Sequence, residues 1–188
     1  MAKKENQRIT LTKRMLQEGL LRLLEVKDLD KISVTELCRE SGINRATFYN
    51  HYGSPQELLN DLEMQITEGI DSLISYPHSP EEALDLLESV CVYMQNNARS
   101  IIVLSKCHAD EDLADIFAKL NESFPPRVPR SRITQNMDSD SLHLTTTFID
   151  TGCYHLIREW LIKGIQKTPR EVAALLLNIV NKDFHFVK

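Results

Sequence analysis

Residues 33 to 58, SVTELCRESGINRATFYNHYGSPQEL, hold two short amphipathic stretches separated by a single glycine, followed at once by a third helix start. Few folds accommodate that spacing. Ser33 and Glu36 form a Ser-x-x-Glu pattern, in which the serine oxygen accepts from the amide three residues on and the glutamate reaches back to the cap. A helix is therefore expected from Val34, about two turns long, with Leu37 and Cys38 inward. Gly42 supplies the positive φ that a sharp helix-to-helix turn requires, and Asn44 caps the next helix. In Arg45-Ala46-Thr47-Phe48-Tyr49-Asn50-His51-Tyr52, only Phe48 and one edge of Tyr52 suit a core. Arg45, Thr47, Tyr49, Asn50 and His51 are left exposed.

Two helices joined through a glycine turn, the second rich in hydrogen-bond donors, make a helix-turn-helix arrangement. Its second helix can enter a major groove about 12 Å wide and meet base edges there. Arg45 suits guanine O6 and N7, Asn50 suits adenine, and the methyl groups of Ala46 and Thr47 suit thymine. Tyr49 and His51 point more sideways and are expected to donate to phosphates, which fixes register without reading sequence. Thr35, on the preceding helix, joins them as a candidate DNA contact. The segment resembles the DNA-binding domain of the TetR family of transcriptional repressors, with Thr47-Phe48-Tyr49-Asn50-His51-Tyr52 standing where that family has T-x-Y-x-H-aromatic. The resemblance covers residues 8 to 60.

That resemblance implies a regulator that reads double-stranded DNA at a palindromic operator as a homodimer, and is released by an unknown small-molecule effector. It also implies an alternative: in a smaller set of family members the body takes a protein partner, which would make this chain a coactivator or adaptor. One position departs from the family pattern. Where a lysine commonly follows the recognition helix, this chain has Pro55, at the first position of a helix capped by Ser54 and boxed by Glu57. One phosphate contact is thereby lost, and the burden passes to the amides at that helix's N-terminus and to Lys3, Lys4 and Arg8.

The net charge of −5 looks wrong for such a partner until it is divided. Residues 1 to 52 carry ten Lys and Arg against seven Asp and Glu, a surplus of +3 that leaves −8 on the remainder. A basic head on an acidic body should approach DNA head first. Residues 1–53 are accordingly read as a DNA-binding domain and 54–188 as an effector-binding and dimerisation domain.

The body announces its helices by punctuation. Ser54-Pro55-Gln56-Glu57, Ser79-Pro80-Glu81-Glu82 and Thr168-Pro169-Arg170-Glu171 each give a cap, a proline at the first position and a glutamate at the third. Before the motif, Leu16, Leu20, Leu23 and Leu24 mark a first helix over 8 to 26. Further helices are expected at 54 to 75, from 80 through Met94, at 98 to 106, 110 to 122 and 141 to 163, and from Pro169 onward. No strand-like alternation occurs. The expectation is all-α, about nine helices, with Pro125 to Ser141 as a mobile loop.

The last two helices are apolar nearly all round, which requires cover on both sides. One side is assigned to the chain's own body and the other to a second subunit, with Ile157, Trp160, Leu161, Leu176 and Ile179 expected at the dimer seam. The layout Gly152, Trp160, Gly164, Pro169 is similar to the C-terminal domain of many TetR-family members, where these two helices build a four-helix interface.

Other function classes find little support. Cys107, His108 and Asp110 lie close in sequence, but neighbours on a helix point about 100° apart, and Cys153 and His155 are no better spaced. No metal-binding H-x-x-x-H, glycine-rich phosphate loop or G-x-S-x-G occurs, so neither an enzyme, a metal site nor a cofactor is expected. Cys38, Cys91, Cys107 and Cys153 lack C-x-x-C spacing and are expected as reduced, buried thiols. No apolar run approaches the roughly 18 residues of a membrane span, and the N-terminus lacks a signal-peptide core, so a cytoplasmic location is expected.

Overall fold

The computed structural model describes residues 2–75, 77–107 and 137–181, and every regular element among them is helical. The all-α expectation holds. Eight α-helices and one short 3-10 turn, Leu29–Lys31, are present among the described residues. The helix expected at 110 to 122 and the loop expected from 125 to 136 lie outside them.

Helix α1 spans Ala2–Leu24, beginning six residues earlier than expected and leaving Val26 outside it, 78% exposed. Helices α2 (Val34–Ser41) and α3 (Arg45–Tyr49) come next, then α4 (Pro55–Asp71). Further on come α5 (Pro80–Asn96), α6 (Ala98–Cys107), α7 (Ser139–Lys163) and α8 (Pro169–Asn181). Residues 139 to 141 belong to α7 rather than to a loop. Asp138 decides this, because its carboxylate accepts from the amides of Asp140 and Ser141 at 3.1 and 2.9 Å and so caps a helix that its polar first turn would not have announced.

The three proline-marked starts are realised as the pattern predicts. Ser54, Ser79 and Thr168 each accept from the amide of the glutamate three residues on, at 3.2 Å in all three cases. Each glutamate reaches back, Glu57 to the Gly53 amide, Glu82 to that of His78 and Glu171 to that of Thr168. Ser33 caps α2 in the same way, but Glu36 does otherwise. Its carboxylate pairs with Lys27, which holds its pKa below the usual carboxylate value.

The chain divides into two compact units: residues 1–66 with 103–107, and residues 67–102 with 108–188. In the first, Leu16, Leu20, Leu37, Phe48, Leu58 and Leu59 are fully buried. Each such side chain contributes about 1.5–3 kcal/mol relative to exposure, which is what holds helices of eight and five residues that would not persist alone. Helices α1 and α2 cross at Gly19. A Cβ placed there would lie 2.9 Å from the Ser41 Cβ and 3.2 Å from its Cα and N. Gly19→Ala gains about 1 kcal/mol of helix propensity, but a contact against backbone cannot be relieved by a rotamer and overpacking costs about 1–3 kcal/mol. A net loss of stability is expected, read as a lower denaturation midpoint.

In the second unit α5 and α8 pack together. Ala83, Leu87, Val90 and Met94 make the buried stripe of α5, and Val172, Ala173 and Leu176 that of α8. At the edge Arg170 reaches three carboxylates of α5, Glu81 at 2.9 Å, Asp85 at 3.0 Å, and Glu88. Such an exposed network adds little stability but fixes which carboxylates face the arginine, and so the register of the two helices.

On α7 and α8 the residues expected at a dimer seam divide by burial. Ile157, Trp160 and Leu176, expected at a dimer seam, are 1, 4 and 2% exposed within their own protomer. Trp160 donates its indole N–H to the Lys167 carbonyl at 3.1 Å, closing the turn in which Gly164 takes a φ of 57°. Leu161 and Ile179 are half-buried. At 100° per residue, Leu144, Phe148, His155 and Ile162 fall within about 40° of one another, roughly opposite Ile157. Leu144 and Phe148 are 69 and 66% exposed, and Ile162 is 41% exposed. Apolar periodicity showed that α7 has two apolar sides; which one the protomer covers depends on parts of the chain distant in sequence, which a local pattern does not contain.

Cys38 and Cys91 are buried free thiols and Cys153 is half-buried. Burial first, then the Glu88 charge, pushes the Cys91 thiol up to about 12. The Cys107 side chain, His108 and Asp110 lie outside the described residues. No described helix is long and apolar enough to cross a membrane.

Candidate nucleic-acid interface

Helix α2 ends at Gly42, which adopts φ 69°, ψ 20° and donates its amide to the Cys38 carbonyl; the Ile43 amide donates to the same oxygen at 3.0 Å. The chain then extends through Asn44, whose side chain accepts from the Thr47 amide at 2.8 Å and starts α3. This is the turn and cap read from the sequence, and it sets the direction of a helix too short to set its own.

Helix α3 proper stops at Tyr49, three residues before the expected end. The turn nevertheless continues, with the Asn50 amide bonded to the Ala46 carbonyl and the amides of His51 and Tyr52 both to Phe48. Phe48 is completely buried and Tyr52 is 5% exposed. Their rings sit 6.1 Å apart and pin the inner side of the helix. Arg45, Ala46, Tyr49 and Asn50 are exposed, and at 100° per residue they form one continuous arc. Thr47 and His51 are half-buried on its flank, and Thr35 is exposed on α2.

All the sequence-selected residues of α3 thus reach the surface, with one rearrangement. Tyr49 lies in the middle of the arc, between Arg45 and Ala46, whereas Thr47 turns aside. The Arg45 guanidinium stands 5.9 Å from the centroid of the Tyr49 ring, a stacked cation that limits the rotamers open to both side chains. Tyr49 also meets the buried Phe48 edge-on at 5.5 Å. A rigid ring and a guanidinium fixed beside it form a pre-set pair of donors.

Beneath α3 lies a polar cluster that sequence reasoning missed. The Tyr52 hydroxyl donates to Asp61 Oδ2 at 2.7 Å, and Gln65 Nε2 donates to the same oxygen at 2.8 Å. Lys13 Nζ stands 3.4 Å from both Asp61 oxygens and 5.4 Å from the Tyr52 ring centroid. Burial foremost, then the hydrogen bond to Asp61, holds the Tyr52 phenol well above its ordinary pKa, so it remains a donor across the working range. The four-residue spacing of Asp61 and Gln65 was the only local signal; the partners on α1 and after α3 are distant in sequence.

At the start of α4 the Glu57 carboxylate accepts the Gly53 amide at 2.7 Å. That amide, just before the cap of α4, is therefore already paired. Arg8 and Arg14 on α1 are exposed.

Residues 18–62, which span the turn, the arc, and Tyr52 and Asp61 of the cluster beneath it, match the family described as bacterial regulatory proteins, tetR family. Residues 81–182 match the transcriptional regulator C-terminal region of TetR-type proteins, more than half of the chain. The chain belongs to the TetR family of transcriptional regulators. It is 33% identical over 81 residues, 43% of its length, to the uncharacterized HTH-type transcriptional regulator YxbF of Bacillus subtilis (strain 168). That stretch spans only 21% of the relative's length. Among solved structures, a TetR transcriptional regulator from Streptococcus agalactiae 2603V superposes with a TM-score of 0.64 at 19% identity, covering 97% of this chain and 100% of that one. The dihydroxyacetone kinase operon activator DhaS superposes with a TM-score of 0.53 at 15% identity, covering 90 and 93%. At such identities the likeness is one of fold. This TetR-family protein is thus a DNA-binding, helix-turn-helix regulator of transcription.

Proposed function

We propose that this TetR-family regulator is a dimeric repressor that holds a palindromic operator and is released when a small molecule binds its body. Residues 1–53 act as the DNA-binding domain and 54–188 as the effector-binding and dimerisation domain. The observation that carries the reading is the exposed arc of Arg45, Ala46, Tyr49 and Asn50 on a helix whose opposite side is pinned by Phe48. Arg45 reads guanine, Asn50 reads adenine and Ala46 meets a thymine methyl, while Thr47, His51 and Thr35 hold the flanking backbone. Tyr49 orients Arg45. The effector acts by binding one arrangement of the body more tightly than another, and its differential affinity limits how far the heads can be shifted.

Recovery and sequencing of genomic fragments bound by the protein should return a palindromic sequence. Arg45→Ala should then cost roughly 1–3 kcal/mol on that duplex and relax preference at one base pair. His51→Ala should weaken all duplexes alike. An unchanged sequence profile in the Arg45 variant would assign Arg45 to phosphate instead.

In a second reading of the body, the exposed face at Leu144 and Phe148 takes another protein in place of a second copy of this chain, and the regulator activates. The fold is shared with a protein named as an operon activator. An effect of a small molecule on operator release by the purified protein alone separates the two.

A further inference from the structure

We propose that Asp61 is a positioning residue for sequence reading: by holding the Tyr52 hydroxyl, it sets the pitch at which α3 presents its arc to the bases. The inference rests on the reading of α3 as the recognition helix. Two points fix a rigid body's tilt better than one, and α3 has two. Its centre is fixed by Phe48, a completely buried ring that resists displacement but is free to pivot. Its far end is fixed by Tyr52, whose hydroxyl lies 2.7 Å from an Asp61 oxygen. With a helical core of only five residues, the backbone bonds of α3 are too few to preserve its direction if the second point is lost.

The carboxylate is itself held. Lys13 approaches from α1 at 3.4 Å, Gln65 donates from the next turn of α4 at 2.8 Å, and the Asp61 side chain is 17% exposed. Tyr52 therefore meets a carboxylate whose own position is set from two helices, α1 and α4. A hydrogen bond to a charged, largely buried acceptor is stronger than one between neutral groups. It constrains the end of α3 without touching DNA.

Charge makes the proposal separable from a purely electrostatic or purely structural role. Asp61→Asn removes a negative charge from a DNA-facing unit and frees Lys13, so electrostatics alone would tighten every duplex. Loss of positioning instead weakens the sequence that needs the correct pitch and spares the rest. Tyr52→Phe leaves all charges in place and removes only the hydroxyl.

The test uses the full chain, a duplex enriched by the wild-type protein from a randomised pool, and a scrambled duplex of the same length and composition. Each variant's denaturation midpoint is recorded alongside, and binding is measured at a temperature where all are folded. Both single variants should lose about tenfold in the ratio of selected to scrambled affinity, the magnitude expected for one charge-assisted hydrogen bond. Affinity for the scrambled duplex should be unchanged in Tyr52→Phe and unchanged or higher in Asp61→Asn. The double variant should lose no more of the ratio than either single one, because both remove the same bond. An unchanged ratio in Tyr52→Phe overturns the inference, as do additive losses in the double variant or an equal loss on both duplexes. A wild-type chain that enriches no sequence overturns the reading of α3 together with the inference. If it enriches a sequence that the variants still prefer undiminished, only the inference falls.

Discussion

Ile157→Lys should unfold the body of the protein instead of separating two subunits. Ile157 is 1% exposed, on the side of α7 that also carries the buried Tyr154 and Trp160. A lysine there must either bury an unpaired ammonium or lose its proton, and both outcomes penalise the folded state. Buried unpaired charges belong to the small class of substitutions costing about 4 kcal/mol or more, a large fraction of the roughly 5–15 kcal/mol that typically holds a domain. Trp160 is the single tryptophan, so its fluorescence reports this event directly. Its emission should shift to the red at a much lower denaturant concentration than in the wild type. Leu176→Glu, at 2% exposure on α8, should behave in the same way. A well-folded, dissociated Ile157→Lys protein would return this residue to the subunit interface.

Phe148→Glu is expected to do the reverse, giving a protomer that keeps its denaturation midpoint at low concentration but elutes as a monomer. The ring is 66% exposed in the protomer, and Leu144 one turn away is 69% exposed, so a charge at this position costs the isolated fold little. At a two-fold seam the same carboxylate is buried twice and faces its own copy, with an expected cost of several kcal/mol per site. Operator affinity should fall with the dimer, since a palindrome requires two heads held about one helical turn apart, roughly 34–36 Å, and a single small head makes few contacts. Leu175→Glu on α8, at 41% exposure, is the companion variant. Sedimentation at micromolar concentration checks both. A variant as dimeric as the wild type would move the seam to another face.

Both expected results reflect a division between local and tertiary information that runs through the whole chain. Where the determining interaction lies within four residues the sequence was mostly sufficient, the Asp138 cap of α7 being the exception because its polar first turn carries no apolar period. The caps at Ser33, Asn44, Ser54, Ser79 and Thr168, and the left-handed glycines at 42 and 164, all follow the rule. Each is a hydrogen bond or a φ angle that a short peptide already contains. The exposed side of α3 was legible for the same reason, because one buried Phe48 at 100° per residue dictates which neighbours face out.

What the sequence did not contain was the identity of the partner across each contact. Glu36 was drawn to Lys27 instead of its own cap, because a cation nine residues away is brought close by folding and offers charge as well as a hydrogen bond. Ile157, Trp160 and Leu176 have the apolarity and spacing of an interface as much as of a core, and tertiary packing buries all three, with α5 packed against the helix that carries Leu176 and the Trp160 indole bonded across the turn. The cluster of Lys13, Tyr52 and Asp61 joins residues up to 48 apart, and no pattern of periodicity links them. Helical phase is a property of neighbouring residues and can be counted along the chain, whereas the side that becomes the core is settled by which distant helix arrives to cover it.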